Sequence, residues 1–495
     1  MHDESQKSFE SYLENANEVG FVEKVIHPIT HIKGLPGVHP EELVVFETGE
    51  LGQVFSVNED SHEILLFKKQ PAKIGTRVAR TQKTLEIPLT NELLGKTISP
   101  LGIDVQTGQS IQGQEYRDLR SIPPGISERA KITSPLITGV NIVDLLIPLG
   151  KGQRELVIGD RKTGKTNFLL QTMLTQSQAG TICIYAGIGK RLLEIKQVEE
   201  FLNQNNIRNN SIIVASSASE SIGTIYLTPY TAMTIAEYFR DQGRDVLIIL
   251  DDLTTHAKYY REISLLANRF PGRSSYPGDM FFEHARLLER AGNFKTEDGK
   301  EVSITCLPVA ETIEGNISGY IQTNLMSITD GHIFFDNELF AQGRRPAVNY
   351  FLSVTRVGRQ TQSTIRWGIN RELNTFLGFL EKTQSFVHFG AELNEGITTL
   401  LSMGEKITSF FNQHMSVVIP INLQVLLFSL IWIGTWQTAS KSEMSTDMQQ
   451  ITNKYLSDEE YRSKLHSIID SAKDFNALLG ILSKEGKGLV ELAKK

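Results

Sequence analysis

Eight consecutive residues, Gly159-Asp160-Arg161-Lys162-Thr163-Gly164-Lys165-Thr166, match the pattern G-x-x-x-x-G-K-[ST] in full. That spacing suits a phosphate chain. Glycines let backbone N–H groups turn toward phosphate oxygens, and a helix starting at the loop's end adds positive potential. Lys165 supplies a point charge for the β and γ phosphates, and Thr166 offers a hydroxyl to magnesium. Such a loop works with an acid at the carboxyl end of a neighbouring apolar strand, which holds magnesium directly or through water. The apolar run Val246 to Leu250, followed by Asp251 and Asp252, supplies it, so Asp251 joins Thr166 as the candidate metal site. Without the loop, the two acids would read as a strand end or a helix cap. The expected ligands are ATP or ADP with Mg2+.

Other metal chemistry finds little support. The 11 histidines give no His-x-x-x-His with an adjacent Glu and no Cys/His pairing at zinc spacing. His27 and His31 are four apart, but Pro28 lies between them in a strand-rich region, so they do not read as a metal pair.

The loop needs a strand before it and a helix after it, and Glu155 to Ile158 and the run from Asn167 supply both. Around them, residues 91–372 alternate apolar strand candidates with helical segments, the pattern of a parallel sheet covered on both faces. Residues 19–90 carry short β-branched runs separated by Gly, Asn and Pro, which predicts a small antiparallel barrel or sandwich. Residues 373–495 show Leu, Phe and Met at helical spacing, which predicts a helical bundle. Residues 1–18 predict a short amphipathic helix or a flexible arm. The expected fold class is multidomain α/β, with an N-terminal β-barrel, a central parallel sheet bearing the phosphate loop and a C-terminal helical bundle.

With 495 residues, 40% hydrophobic and 22% charged, the chain has ordinary globular composition and enough length for several cores. Its 50 Lys and Arg against 57 Asp and Glu leave a formal net charge of −7, which argues against an extended nucleic-acid surface. Cys183 and Cys306 lie in apolar-rich stretches and read as reduced core thiols. The polar start, Met1 to Glu18, has no secretory pattern. The most apolar segment, Val417 to Gly434, is interrupted by Pro420, Asn422, Gln424 and Ser429 and reads as a buried helix rather than a membrane span.

The run Gly150 to Thr166, with Asp251-Asp252-Leu253, Tyr276-Pro277-Gly278-Asp279, Leu287 to Arg290, Tyr320 to Asn324 and Ser327 to Gly331, resembles the alpha-subunit family of F-type ATP synthases. The order and spacing of these motifs agree over nearly the whole chain from Asn17. The resemblance implies a β-barrel crown, a RecA-like nucleotide-binding domain and a helical domain. It implies alternation with beta subunits in a three-plus-three hexamer around a gamma central stalk, with delta and b of the peripheral stalk meeting the N-terminal arm. The chain would bind no nucleic acid and touch a membrane only through the complex, on the cytoplasmic side of a bacterial inner membrane.

Within that resemblance, beta subunits hydrolyse ATP with a carboxylate in a G-E-R run after the strand that follows the phosphate-loop helix. This chain has Gly189-Lys190-Arg191 there. A protonated lysine cannot orient water as a carboxylate does, so the site is expected to bind nucleotide without turning it over. Lys190 and Lys162 also depart from the Gln usual in alpha subunits. Lys190 is expected to face solvent rather than tighten anion binding, and for Lys162 both readings stand. Arg356 falls on the arginine that alpha lends to the beta site, where a guanidinium meets charge on the transferring phosphoryl group. Ser353 falls on a serine needed for activity, expected to position that strand, and Thr355 stands where Ser is usual. Phe340, Arg345 and Pro346 are placed near the nucleotide, and Gln413 matches one of two base-binding glutamines, with Met415 in place of the second. These departures point to a divergent or second-operon form. The competing readings are a homohexameric RecA-like transport or secretion ATPase with its own catalytic site, which would need the carboxylate absent at Lys190, and a hexameric RNA translocase.

Overall fold

The computed structural model of the chain describes residues 9–296, 298–388 and 395–494, so the first eight residues of the expected N-terminal arm lie outside it. Packing groups the chain into two compact units. One comprises Met1–Lys131, Gly152–Ile158 and Ser177–Asp330, and the other Ile132–Lys151, Gly159–Gln176 and Gly331–Lys495.

In the first unit, strands β1 (Val19–Ile26), β2 (Ile29–Lys33), β3 (Glu42–Phe46), β4 (Leu51–Val57), β5 (His62–Leu66) and β6 (Arg77–Thr84) close a barrel in the order β1-β2-β5-β4-β3-β6. Pairing of Val19, Gly20 and Phe21 with Ala79, Val78 and Arg77 completes the ring and removes the strand edges. Alternation along the strands sends Val22, Ile32, Val44, Phe46, Ile64 and Val78 into one core. Gly34 leaves β2 at φ +82°, where a side-chain carbon would sit 2.5 Å from the Val19 carbonyl oxygen, so only glycine fits. Phe9–Ala16 forms a helix docked on β6. The Arg77 guanidinium lies 5.0 Å from the Phe9 ring centre and donates to Glu10 at 2.9 Å.

The same unit holds a sheet with strands in the order Glu155–Gly159, Glu301–Glu311, Val246–Asp251, Ile182–Lys190, Ser211–Ser217 and Thr97–Ile98, running parallel. A short antiparallel strand, Gly292–Lys295, makes it mixed. Val246–Asp251 and Ser211–Ser217 are buried throughout, as strands covered on both faces must be. Ile222–Asp241 packs against them as an almost wholly buried helix. Its Glu237 meets the buried Arg290 through two hydrogen bonds of 2.9 and 2.6 Å, a fork geometry that offsets much of the cost of desolvating both charges. Nearby, His256 and His284 are buried with ring nitrogens 3.1 Å apart, and the other His256 nitrogen lies 3.1 Å from the Tyr226 carbonyl oxygen. A carbonyl only accepts, so His256 carries its proton on that side and accepts from His284. Burial holds the His256 pKa down at about 4.

The second unit contains the phosphate loop and the C-terminal helices Thr364–His388, Glu395–Phe411, Ile421–Trp432, Lys441–Ser457, Glu459–Ser471 and Phe475–Ala493. Ser440, Asp458 and Asp474 cap the last three through their side chains. The apolar stretch noted above forms Ile421–Trp432, buried on almost every side, with Phe428 and Trp432 packed against Phe475. Among the described residues no helix is long and apolar enough to cross a membrane.

Candidate nucleotide site

The strand Glu155–Gly159 runs straight into the phosphate loop, and the helix Lys165–Gln178 begins at its end. The loop is shaped from inside. Lys165 is buried, and its Nζ donates to the carbonyl oxygens of Gly159 at 2.8 Å and Asp160 at 2.6 Å. The Thr163 hydroxyl donates to the same Asp160 oxygen at 2.8 Å. Gly164 adopts φ +97° with open space where a side chain would project. Arg161, Lys162 and Thr166 are exposed, and Lys162 sits in the left-handed region at φ +64°. Beneath the loop, a side-chain carbon on Gly159 would meet the Phe335 carbonyl oxygen at 2.3 Å, so glycine lets the loop close on the strand Gly331–Phe335.

That strand also carries the segment ending in Arg356. Gly331 and His332 pair antiparallel with Thr355 and Val354. Ser353 extends the ladder with its side chain: its Oγ accepts from the Phe334 N–H at 2.9 Å and donates to the Asn349 carbonyl at 2.7 Å. Asn349 in turn donates to Asp336 at 2.9 Å, and its Oδ1 accepts from the N–H groups of Phe351 and Leu352. Arg356 follows on the exposed side. Asn349 was missed from sequence, although an amide between Pro346 and Ser353 in a strand-return segment is a standard turn signal.

Phe340 and Arg345 meet: the guanidinium carbon lies 3.6 Å from the ring centre, and Arg345 donates to the Phe340 carbonyl at 2.9 Å. Pro346 follows directly. Gln413, expected near the base, is held by backbone. Its Nε2 donates to the carbonyls of Gly139 and Val417, both at 2.6 Å, and its Oε1 accepts from the Asn141 N–H at 3.1 Å. Both donors are committed to backbone, so this side chain braces the segment between Gly139 and Val417. Gln171, on the phosphate-loop helix, reaches the same Val417 oxygen at 2.7 Å, a link the sequence did not announce.

In the first unit, Asp251 ends its strand fully engaged. Tyr185 Oη donates to Oδ2 at 2.6 Å and Lys190 Nζ donates to Oδ1 at 2.6 Å, with Asp252 Oδ2 a further 3.4 Å contact of the same ammonium. Lys190 therefore does not face solvent as expected, its side chain being only 16% exposed. Burial opposes its charge, but the two carboxylates outweigh burial and hold its pKa above the ordinary value. Burial also raises Asp252, against Lys190, while burial and Asp251 together raise Tyr185. Asp252 caps the helix Leu253–Leu266 by accepting from the Thr255 N–H at 2.7 Å. A magnesium ion ligated directly by Asp251 would have to share that carboxylate with the Lys190 ammonium, a like charge 2.6 Å from Oδ1. Tyr185 was a legible partner in retrospect, since a tyrosine on a buried strand needs an acceptor for its hydroxyl.

A parallel sheet feeding a G-x-x-x-x-G-K-T loop and then a helix defines a nucleoside-triphosphate-binding protein. Residues 139–355 match the ATP synthase alpha/beta family, nucleotide-binding domain. The chain is 37% identical over 449 residues to "ATP synthase subunit alpha" of Neorickettsia sennetsu, covering 89% of this chain and 88% of that one. It is 39% identical over 426 residues to the same-named protein of Helicobacter acinonychis, covering 86% and 84%. Identity to "ATP synthase subunit alpha 2" of Syntrophotalea carbinolica is 37% over 455 residues, 90% and 87% of the two chains. The chain belongs to the ATP synthase alpha/beta family.

Proposed function

We propose that the chain is the alpha, nucleotide-binding and non-catalytic member of an F-type ATP synthase. The observation that carries this reading is Lys190: where a hydrolytic site needs a carboxylate free to orient water, the strand Ile182–Lys190 ends in an ammonium 2.6 Å from Asp251. The naming of the relatives supports it, and disfavours the homohexameric transport ATPase, which would need that carboxylate.

In this reading ATP or ADP is held by the loop Gly159 to Thr166, with Phe340, Arg345 and Pro346 nearby in the chain's second unit. Partners are beta subunits alternating with this chain, gamma as central stalk, and delta and b at the N-terminal arm, with the complex on the cytoplasmic face of a bacterial inner membrane. Arg356 completes the beta site, and Ser353 positions it. In a hexamer reconstituted with the cognate beta and gamma subunits, Arg356→Ala lowers turnover by about 10³ or more. Turnover close to the parent's refutes the arginine's role, and steady ATP hydrolysis by the isolated chain refutes the non-catalytic assignment.

A further inference from the structure

We propose that the C-terminal helices hold a binding site for a small amphipathic carboxylate of the medium-chain fatty-acid kind, with its carboxylate on Lys406 and its apolar body against Trp432 and Trp436. The site lies wholly within the second unit and goes beyond the nucleotide-binding reading, on which it does not depend.

A cavity of about 490 Å³ opens between the helices Glu395–Phe411 and Ile421–Trp432, a size that suits a small organic ligand. Its apolar wall is made by Met403, Ile431, Trp432, Ile433 and Trp436. Both indole rings are anchored from behind. The Trp432 ring centre lies 5.4 Å from that of Phe428 and 5.5 Å from that of Phe376, and Trp436 donates its indole N–H to Asp447 at 3.0 Å. The rings are thus held in place before a ligand arrives, which lowers the ordering cost of binding.

Lys406, itself buried, is the one charged residue lining this cavity. Gly434, at φ +77°, turns the chain back after the second helix, with the Thr435 N–H donating to the Leu430 carbonyl at 3.1 Å. The turn sets the carbonyls of Trp436 and Gln437 on the Lys406 Nζ at 2.6 and 2.8 Å. These engage two of the three ammonium N–H donors, but a carbonyl carries no net charge to balance the cation. Among the described residues no carboxylate pairs with Lys406, and the acids around it have cations of their own: Glu405 meets Lys441 at 2.8 Å, and Asp447 meets Lys494 at 2.7 Å. A buried charge without a counter-ion is costly, so the cavity favours an anion, and its aromatic and aliphatic walls favour one with an apolar body.

The test is titration of the full-length chain with sodium decanoate below its micellar range, followed by calorimetry and by intrinsic fluorescence. Fluorescence reports on the site because two of the chain's three tryptophans line it. The parent is expected to saturate with decanoate and to bind decanol, which has the same tail without the charge, about tenfold or more weakly. Lys406→Met is expected to weaken decanoate by about tenfold or more and to leave decanol unchanged. Ser402→Phe, which fills the cavity from an exposed helix position, is expected to abolish binding of both. No saturable binding of decanoate by the parent overturns the inference. Decanol as tight as decanoate overturns the carboxylate assignment, and binding that survives Ser402→Phe puts the ligand elsewhere and overturns the site. If Lys406→Met does not fold, the decanol comparison and Ser402→Phe still decide. Every one of these outcomes leaves the nucleotide-binding reading as it was.

Discussion

Replacing Ser353 with alanine tests whether the segment bearing Arg356 is held by the bonds described. The hydroxyl makes two, one from the Phe334 N–H at 2.9 Å and one to the Asn349 carbonyl at 2.7 Å, at a half-buried position. A net hydrogen bond is worth about 0.5–1.5 kcal/mol, so losing both costs about 1–3 kcal/mol. The loss falls where the ladder of Gly331 and His332 with Thr355 and Val354 stops, three residues before Arg356. If that ordering energy is spent on presenting the guanidinium, turnover of the reconstituted hexamer falls roughly 5- to 150-fold, since about 1.4 kcal/mol is a factor of ten. The assay is steady-state ATP hydrolysis by hexamers carrying the parent, Ser353→Ala or Ser353→Thr chain, with urea unfolding of each free chain alongside. Threonine keeps the hydroxyl and should recover most of the rate. Ser353→Ala within twofold of the parent, or Ser353→Thr as slow as Ser353→Ala, refutes the positioning role.

Lys165→Ala should abolish the rise in melting temperature that ATP gives the parent, a rise reflecting about 2.7 kcal/mol of linkage at 100 times Kd; a rise of parental size in the variant refutes the loop assignment. Gln413→Leu removes three bonds to the backbone of Gly139, Val417 and Asn141 and should cost about 2–4 kcal/mol in urea unfolding. Its ATP-to-GTP affinity ratio should stay at the parent's, and a collapse of that ratio would restore a base-reading role. Acid should weaken the first unit: His256 is held neutral down to about pH 4 when folded but takes a proton near 6.5 when unfolded. Stability is thus lost as pH falls from 6.5 toward 4, by about 3 kcal/mol, and His256→Gln should flatten the urea midpoint over that window. Burial raises the pKa of Glu283, but Arg120 and the Tyr230 and Tyr226 hydroxyls win and hold it below the usual range. Its share is therefore lost as pH falls below about 4.5, where the histidine window is ending.

Local signals were strong wherever one stretch of chain has to satisfy its own chemistry. The phosphate loop, the buried strands Val246–Asp251 and Ser211–Ser217, the barrel's alternating strands and the buried helix Ile421–Trp432 were all legible, because periodicity and loop chemistry are properties of neighbouring residues. Lys190, Asp251 and Gln413, whose surroundings differ from those expected, are residues whose partners lie far along the chain. Lys190 looked like a solvated cation until the parallel pairing of its strand with Val246–Asp251 brought it within 2.6 Å of an acid 61 residues away. Gln413 looked like a base reader until Gly139, 274 residues earlier, took its amide. Thus residue type and spacing determined by themselves that this chain folds a phosphate loop into an α/β sheet and carries no free carboxylate at Lys190. Only the tertiary structure decided where that lysine's charge goes, because an ammonium buried beside two carboxylates pairs with them, and which carboxylates lie beside it is a matter of strand order and register.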